Sequence, residues 1–239
     1  MALSGECADE LFGGYPWFTD EKMLDLDIFP WANSLTLRKS VMHKNLKHLP
    51  IEDYAKRAYF DTKNETPLLD GESEKDKKIR QMFYLNIKWF MTNLLERKDR
   101  MSMGCGLEVR VPFCDHRIAE YAWNIPYDMK TLNGQEKGIL RAAVKHMLPS
   151  DVFNRKKSPY PKTHHPSYEQ GTVKLLMEII NNKSSKIHDV LDVNFIERMV
   201  NKEFEIKTPW FGQLMKGPQF FAFIIQLEFW LNEYKINLI

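Results

Sequence analysis

Only one internal stretch of this chain alternates apolar and polar residues as a strand does. It is GLEVRVPFCD, residues 106–115, and Pro112 stops it. One short strand cannot build a sheet with covered faces, so the fold has to be assembled from helices. The helical pattern is correspondingly dense. KIRQMFYLNIKWFMTNLLERKDRMSM, residues 78–103, spreads Ile79, Met82, Phe83, Leu85, Ile87, Phe90, Met91, Leu94 and Leu95 over a wide apolar face and is expected in the core. Further helices are expected over 34–47, 51–59, 116–123, 137–146, 168–181, 193–203 and 218–234. Residues 154–168, with three prolines and a cationic cluster, read as a loop.

With 239 residues and 44% hydrophobic content the chain is long enough to bury a sizeable core. Lys and Arg number 34 against 32 Asp and Glu, a net charge of +2, which gives no general argument for a nucleic-acid or membrane partner. FFAFIIQLEFWL, residues 220–231, is too short to span a bilayer and carries Gln226 and Glu228, so it reads as a buried helix. The first residues lack the basic-then-apolar pattern of a signal peptide. Cys7, Cys105 and Cys114 cannot all pair within the chain and lie in no CxxC spacing. That points to a reducing compartment, the cytosol, with Cys7 a small packed side chain. No histidine spacing suggests a metal site.

The chemistry concentrates at LSGECADELFGGYPWF, residues 3–18. Ser4 and Gly5 supply a turn and an N-cap before a short helix around residues 8–12, which Gly13 and Gly14 terminate. Free N–H groups at such a start favour an anion, whereas Glu6, Asp9 and Glu10 repel one unless Mg²⁺ bridges carboxylate and phosphate. The alternative is plain helix capping, with acids that suit the dipole. A second cluster, RKKSPYPK, gathers Arg155, Lys156, Lys157 and Lys162 in a proline-stiffened loop able to close over a polyphosphate or simply to be solvated. In a third, Arg100, Glu108 and Arg110 lie near a chain reversal, where a buried ion network that holds it is the expectation and direct substrate contact the alternative.

Taken in order, LSGECADELFGGYPWF, DRMSMGCGLEVRVPFCDH and LPSDVFNRKKSPYPKTHHP resemble the synthetase domain of glutamine-hydrolysing asparagine synthetases, the branch related to β-lactam synthetases. The resemblance covers essentially the whole chain. It implies the mostly α, C-terminal segment of an ATP-pyrophosphatase (adenine nucleotide α-hydrolase-like) α/β domain, with at most one or two short strands, the chain forming a single domain over 1–239. The implied reaction is ATP-dependent amidation of aspartate through a β-aspartyl-adenylate, releasing AMP and pyrophosphate. ATP and Mg²⁺ are the implied cofactors, and aspartate and ammonia the substrates. By the resemblance, Ser4 and Gly5 approach the nucleotide, Asp9 binds Mg²⁺, Glu6 serves formation or aminolysis of the adenylate, and Lys157 meets pyrophosphate. The family's SGGxDS loop is absent, the only Gly-Gly being Gly13–Gly14 after Phe12. So is the N-terminal cysteine of the glutaminase domain, and a second acid partnering Glu6 is not matched near the apolar Leu94. The chain therefore reads as a fragment, inactive alone. Neither nucleic acid nor membrane is an expected partner, and a homodimer is the assembly allowed for. The rival readings are another adenylating amide ligase, β-lactam synthetase-like, and a non-catalytic helical binding module.

Overall fold

A computed structural model of the chain describes residues 1–32, 35–156, 165–204, 209–211 and 215–237. The fold is mostly helical, and its only strands among the described residues are two short ones, Ala2–Leu3 and Val109–Arg110. These pair in parallel, Ala2 opposite Val109 and Leu3 opposite Arg110. The chain divides into two compact units, each made of two separate pieces: Met1–Asp27 with Arg57–Lys157, and Ile28–Lys56 with Ser158–Ile239.

In the first unit, the strand pair leads into the helix Ala8–Phe12 and the 3₁₀ turn Pro16–Phe18. The long apolar segment folds as Glu74–Leu85 and Thr92–Gly104, joined by a π-helical turn, Asn86–Met91. Ser73 starts it as N-cap, its Oγ accepting from the Asp76 N–H while donating to the Asp76 carboxylate. Ile79, Met82, Phe83 and Leu85 are buried, and Phe83 stacks on Phe18 with ring centroids 4.2 Å apart. Beyond the π turn the expectation fails: Thr92–Gly104 buries none of its residues, and Leu94 and Leu95 are only half-buried. A π turn fits extra backbone into one winding and rotates the apolar stripe away from the direction it held before. Leu11, Phe12 and Ala122 form a smaller cluster with Phe113 and Ile118, which joins the opening helix to the helix His116–Trp123.

The second unit packs Leu35–Ser40, Pro166–Asn181, Ile187–Val190, Val193–Val200 and Gly217–Glu233 around Leu176, Ile187, Ile196 and Ile224, all fully buried. Val41, from the first of its two pieces, sits in this core. The pieces are tied by backbone bonds, His43 N–H donating to the Val190 carbonyl and Asp192 N–H to the Val41 carbonyl, each at 2.8 Å. The helix Gly217–Glu233 is buried on one side only, since Phe223, Phe229 and Trp230 are exposed. Its acid has a structural reason. Glu228, buried, accepts the N–H groups of Lys186 (3.2 Å) and Ile187 (2.8 Å), unpaired donors at the start of the Ile187–Val190 helix, and a third bond from Asn232 (2.7 Å). Among the described residues no helix is long and apolar enough to cross a membrane.

Candidate active site

The parallel strand pair positions everything at the opening turn. Ala2 N–H donates to the Glu108 carbonyl (2.8 Å) and Ser4 N–H to the Arg110 carbonyl (2.9 Å), which fixes the chain direction into Gly5–Glu6–Cys7. Ser4 Oγ accepts from the Glu6 N–H and from Lys98 Nζ, each at 3.4 Å, so it braces the turn. It does not cap the following helix, contrary to the sequence expectation. The N-cap position belongs to Cys7, at φ 75°, with no side-chain cap. Two extra residues in the turn carry Ser4 past capping distance.

Cys7 is also not a free packed thiol, because it forms a disulfide with Cys114. The register explains the pairing: Leu3 faces Arg110, and each cysteine lies four residues beyond its member of that pair. Cys105 is left as an exposed thiol. The pairing removes the argument from cysteines for a reducing compartment.

Glu6 is partly buried between two cations of the Thr92–Gly104 helix, its Oε1 lying 3.3 Å from Lys98 Nζ and 3.7 Å from Arg97. Its other oxygen, Oε2, is buried with no hydrogen-bond partner among the described residues. An orphaned buried carboxylate oxygen costs on the order of 1–3 kcal/mol unless a ligand satisfies it. Gly5 carries a complementary feature. Its backbone is not left-handed, and a Cβ built there meets nothing within 4 Å, so no contact among the described residues requires glycine at this position. An external group approaching the backbone would.

Asp9 sits one helical turn further on and accepts from Lys137 Nζ at 2.7 Å. Its carbonyl receives the N–H groups of Gly13 and Gly14. Gly14 has no freedom to be anything else, as a Cβ there would lie 1.7 Å from Asp9 Oδ1. Lys137, which sequence reasoning missed, belongs to the candidate site through its contact with Asp9. It precedes the helix Gly138–Val144 in a left-handed conformation (φ 55°), and Gly138 is pressed against the Leu132 backbone. The signal was a run of turn residues, NGQEKG, at 133–138.

As donors for Mg²⁺, the residues offer one carboxylate already neutralised by a lysine. Among the described residues no three His, Cys, Asp or Glu side chains gather as a metal cage. Asp9 suits a cation that arrives with phosphate oxygens and keeps its waters, since Mg²⁺ commonly takes only one or two carboxylates. The neighbouring Glu10 is structural: it is buried and accepts the Tyr15 hydroxyl at 2.6 Å. Burial, and then the Glu10 charge, hold that phenol far above its usual pKa.

Lys157 lies outside the described residues, but the residues that lead to it do not. Arg141, on the helix that follows Lys137, donates to the carbonyls of Phe153 (2.7 Å) and Arg155 (3.2 Å). One helix thus holds both Asp9 and the entry to the cationic segment. The expected buried network of Arg100, Glu108 and Arg110 is absent: Arg110 pairs with Glu108 at 2.8 Å in an exposed position, and Arg100 is exposed. Charges two residues apart on a strand share one face, here the solvated one.

The model of the asparagine synthase family matches residues 1–232. The chain is 52% identical over its whole length to the glutamine-hydrolysing asparagine synthetase 3 of Bacillus subtilis, of which it covers 39%. It is 28% identical over 67% of its length to asparagine synthetase 1 of the same organism (30% of that protein). Over 66% of its length it is 30% identical to the amidase chry2 of Gibberella zeae (31% of that protein). The chain thus spans about two fifths of the first of these relatives.

Proposed function

The chain belongs to the asparagine synthase family, and from that premise we propose that it supplies the C-terminal part of a site for ATP-dependent amidation of aspartate. In this reading aspartate's side-chain carboxylate attacks the α-phosphorus of ATP, pyrophosphate leaves, and ammonia displaces AMP to give asparagine. The two units are parts of one synthetase domain, and the chain alone does not complete the reaction.

The observation that carries the proposal is the orphaned Glu6 Oε2 beside a glycine that the fold itself does not need. The Ser4–Gly5 backbone approaches the nucleotide, the space beside Gly5 admitting it. Glu6, held by Lys98 and Arg97, presents its free oxygen to the reacting centre and takes a proton from ammonium. Asp9 is the carboxylate that would hold Mg²⁺, whose chemistry is to neutralise the polyphosphate. Lys137 would then have to release Asp9 and become free to meet phosphate itself. Lys157 meets pyrophosphate, the residues that lead to it held by Arg141.

Glu6→Gln in the whole protein tests this. Aspartate-dependent pyrophosphate release should fall by about two to four orders of magnitude, the range of a lost general base, while glutamine hydrolysis and the thermal unfolding curve stay as they were. Full synthesis by the variant overturns the role of Glu6. A wild-type protein inert to aspartate but active on another acid overturns the substrate.

A further inference from the structure

In the first unit, the loop before the Glu74–Leu85 helix and the segment from Trp123 to Thr131 line a cavity of about 790 Å³, two of whose lining residues, Phe83 and Tyr127, also pack against Gly13 at the end of the Ala8–Phe12 helix. That is ample for a small organic ligand. Ile79, Phe83, Trp123 and Ile125 supply apolar wall. Two polar groups in this wall have no hydrogen-bond or ion-pair partner among the described residues. Lys130 is 97% buried, its Nζ resting 3.9 Å from the centroid of the Phe83 ring, and among the described residues its ammonium makes no hydrogen bond or ion pair, although its backbone N–H donates to the Pro126 carbonyl. The Tyr127 hydroxyl is buried and likewise unpaired, its ring edge-on to the same Phe83 at 6.1 Å. The nearby Arg80 cannot answer for them, because it is itself a cation and is committed to Glu72 (2.6 Å) and the Trp123 carbonyl (2.7 Å).

We infer that this cavity is a binding site for a small monocarboxylate with an apolar body, the carboxylate accepting from Lys130 and the Tyr127 hydroxyl while the body lies against Phe83 and Trp123. A buried ammonium without a counter-charge and a buried hydroxyl without an acceptor both lack what a carboxylate brings. A dianion is disfavoured because Asp70, Asp76 and Asp128 also line the cavity. The charges that face Lys130 therefore come from three elements. Asp70 and Glu72 precede the helix Glu74–Leu85, Lys75, Asp76 and Arg80 lie on it, and Asp128 shares the short helix Tyr127–Lys130.

Burial, and then the charge of Arg80, pull the Lys130 ammonium down to about 7. A carboxylate set beside it raises it again, so above neutral pH the ligand binds together with a proton. Burial and Glu136 push the Tyr127 phenol up to about 12, which keeps it a donor throughout.

The test is calorimetric titration of the chain with 3-phenylpropionate at about pH 8.5 in two buffers of different ionisation enthalpy. Saturable binding is expected, with uptake approaching one proton. The carboxylate-free 3-phenylpropanol should bind at least about tenfold more weakly, Lys130→Met should lose about the same factor, and inorganic phosphate should not compete. Tyr127→Phe supplies a second variant, expected to weaken binding by a smaller factor with proton uptake retained. The inference is overturned if 3-phenylpropionate does not bind, if the alcohol binds as well as the acid, if both variants retain wild-type affinity, or if phosphate displaces the ligand.

Discussion

Gly5 and Gly14 are nine residues apart in one turn–helix–turn, and physically they are opposites. Gly14 is imposed from within, because a side chain there would occupy the space of the Asp9 carboxylate. Gly14→Ala should therefore cost about 1–3 kcal/mol, the usual range for overpacking, read from urea denaturation, and should break the Asp9–Lys137 contact. Gly5→Ala should leave the same unfolding curve within about 0.5 kcal/mol, as for a surface substitution, while weakening nucleotide binding in the whole protein. Equal destabilisation by both would make Gly5 structural. Lys130 gives a pH-dependent counterpart. Its folded-state ammonium titrates near 7 against a usual value above 10, so between those limits the unfolded chain holds the proton and the folded one does not. Stability from this group accordingly rises with pH over that window and is lowest below it. Lys130→Met should stabilise the ligand-free chain by on the order of 3–4 kcal/mol at pH 6 and by much less at pH 9.5, measured as the shift in denaturation midpoint. A pH-independent difference would show that Lys130 is not desolvated.

Among the elements, Glu228 shows why an acid can sit inside the most apolar stretch of the chain. It works as a cap supplied from a distant helix, and Glu228→Leu, although it makes the helix more hydrophobic, should destabilise by about 2–4 kcal/mol by orphaning the buried Ile187 N–H and the half-buried Lys186 N–H. Thermal denaturation would read this, and an unchanged midpoint would deny the cap. The helices were legible because their cues are local. Asp115 before His116–Trp123 is an N-cap, its carboxylate accepting from the Arg117 N–H at 2.9 Å, and the boundaries read from the pattern are those observed. The π turn at Asn86–Met91 was not legible, since NIKWFM has good helical periodicity and only its surroundings rotate it. The opening turn was legible as a place of chemistry, through its small residues and acids. Its partners were not: Lys137 lies 128 residues from Asp9, and Cys114 lies 107 from Cys7. Each pairing depends on a two-residue strand register or on one left-handed backbone position, neither of which leaves a periodic trace.

For the molecule as a whole, the second unit is built from one piece that interrupts the first in sequence and another that follows it. Val41 and Leu37, from the earlier piece, pack against Leu176, Ile196 and Ile224 from the later one. A chain ended at Lys156 would leave the earlier piece with its apolar side chains uncovered, and it should bind a hydrophobic dye and self-associate in sedimentation, unlike the intact chain. A monodisperse truncated chain would show that the pieces are independent. The disulfide adds a different consequence. Cys7 and Cys114 close a covalent ring in the polypeptide, and the whole excursion Ile28–Lys56 lies on its circumference. A protease that nicks the oxidised chain once anywhere on that ring opens it without releasing a piece. The cut protein should migrate as one species until a reductant is added and as two afterwards, so in this chain cleavage and separation are distinct events.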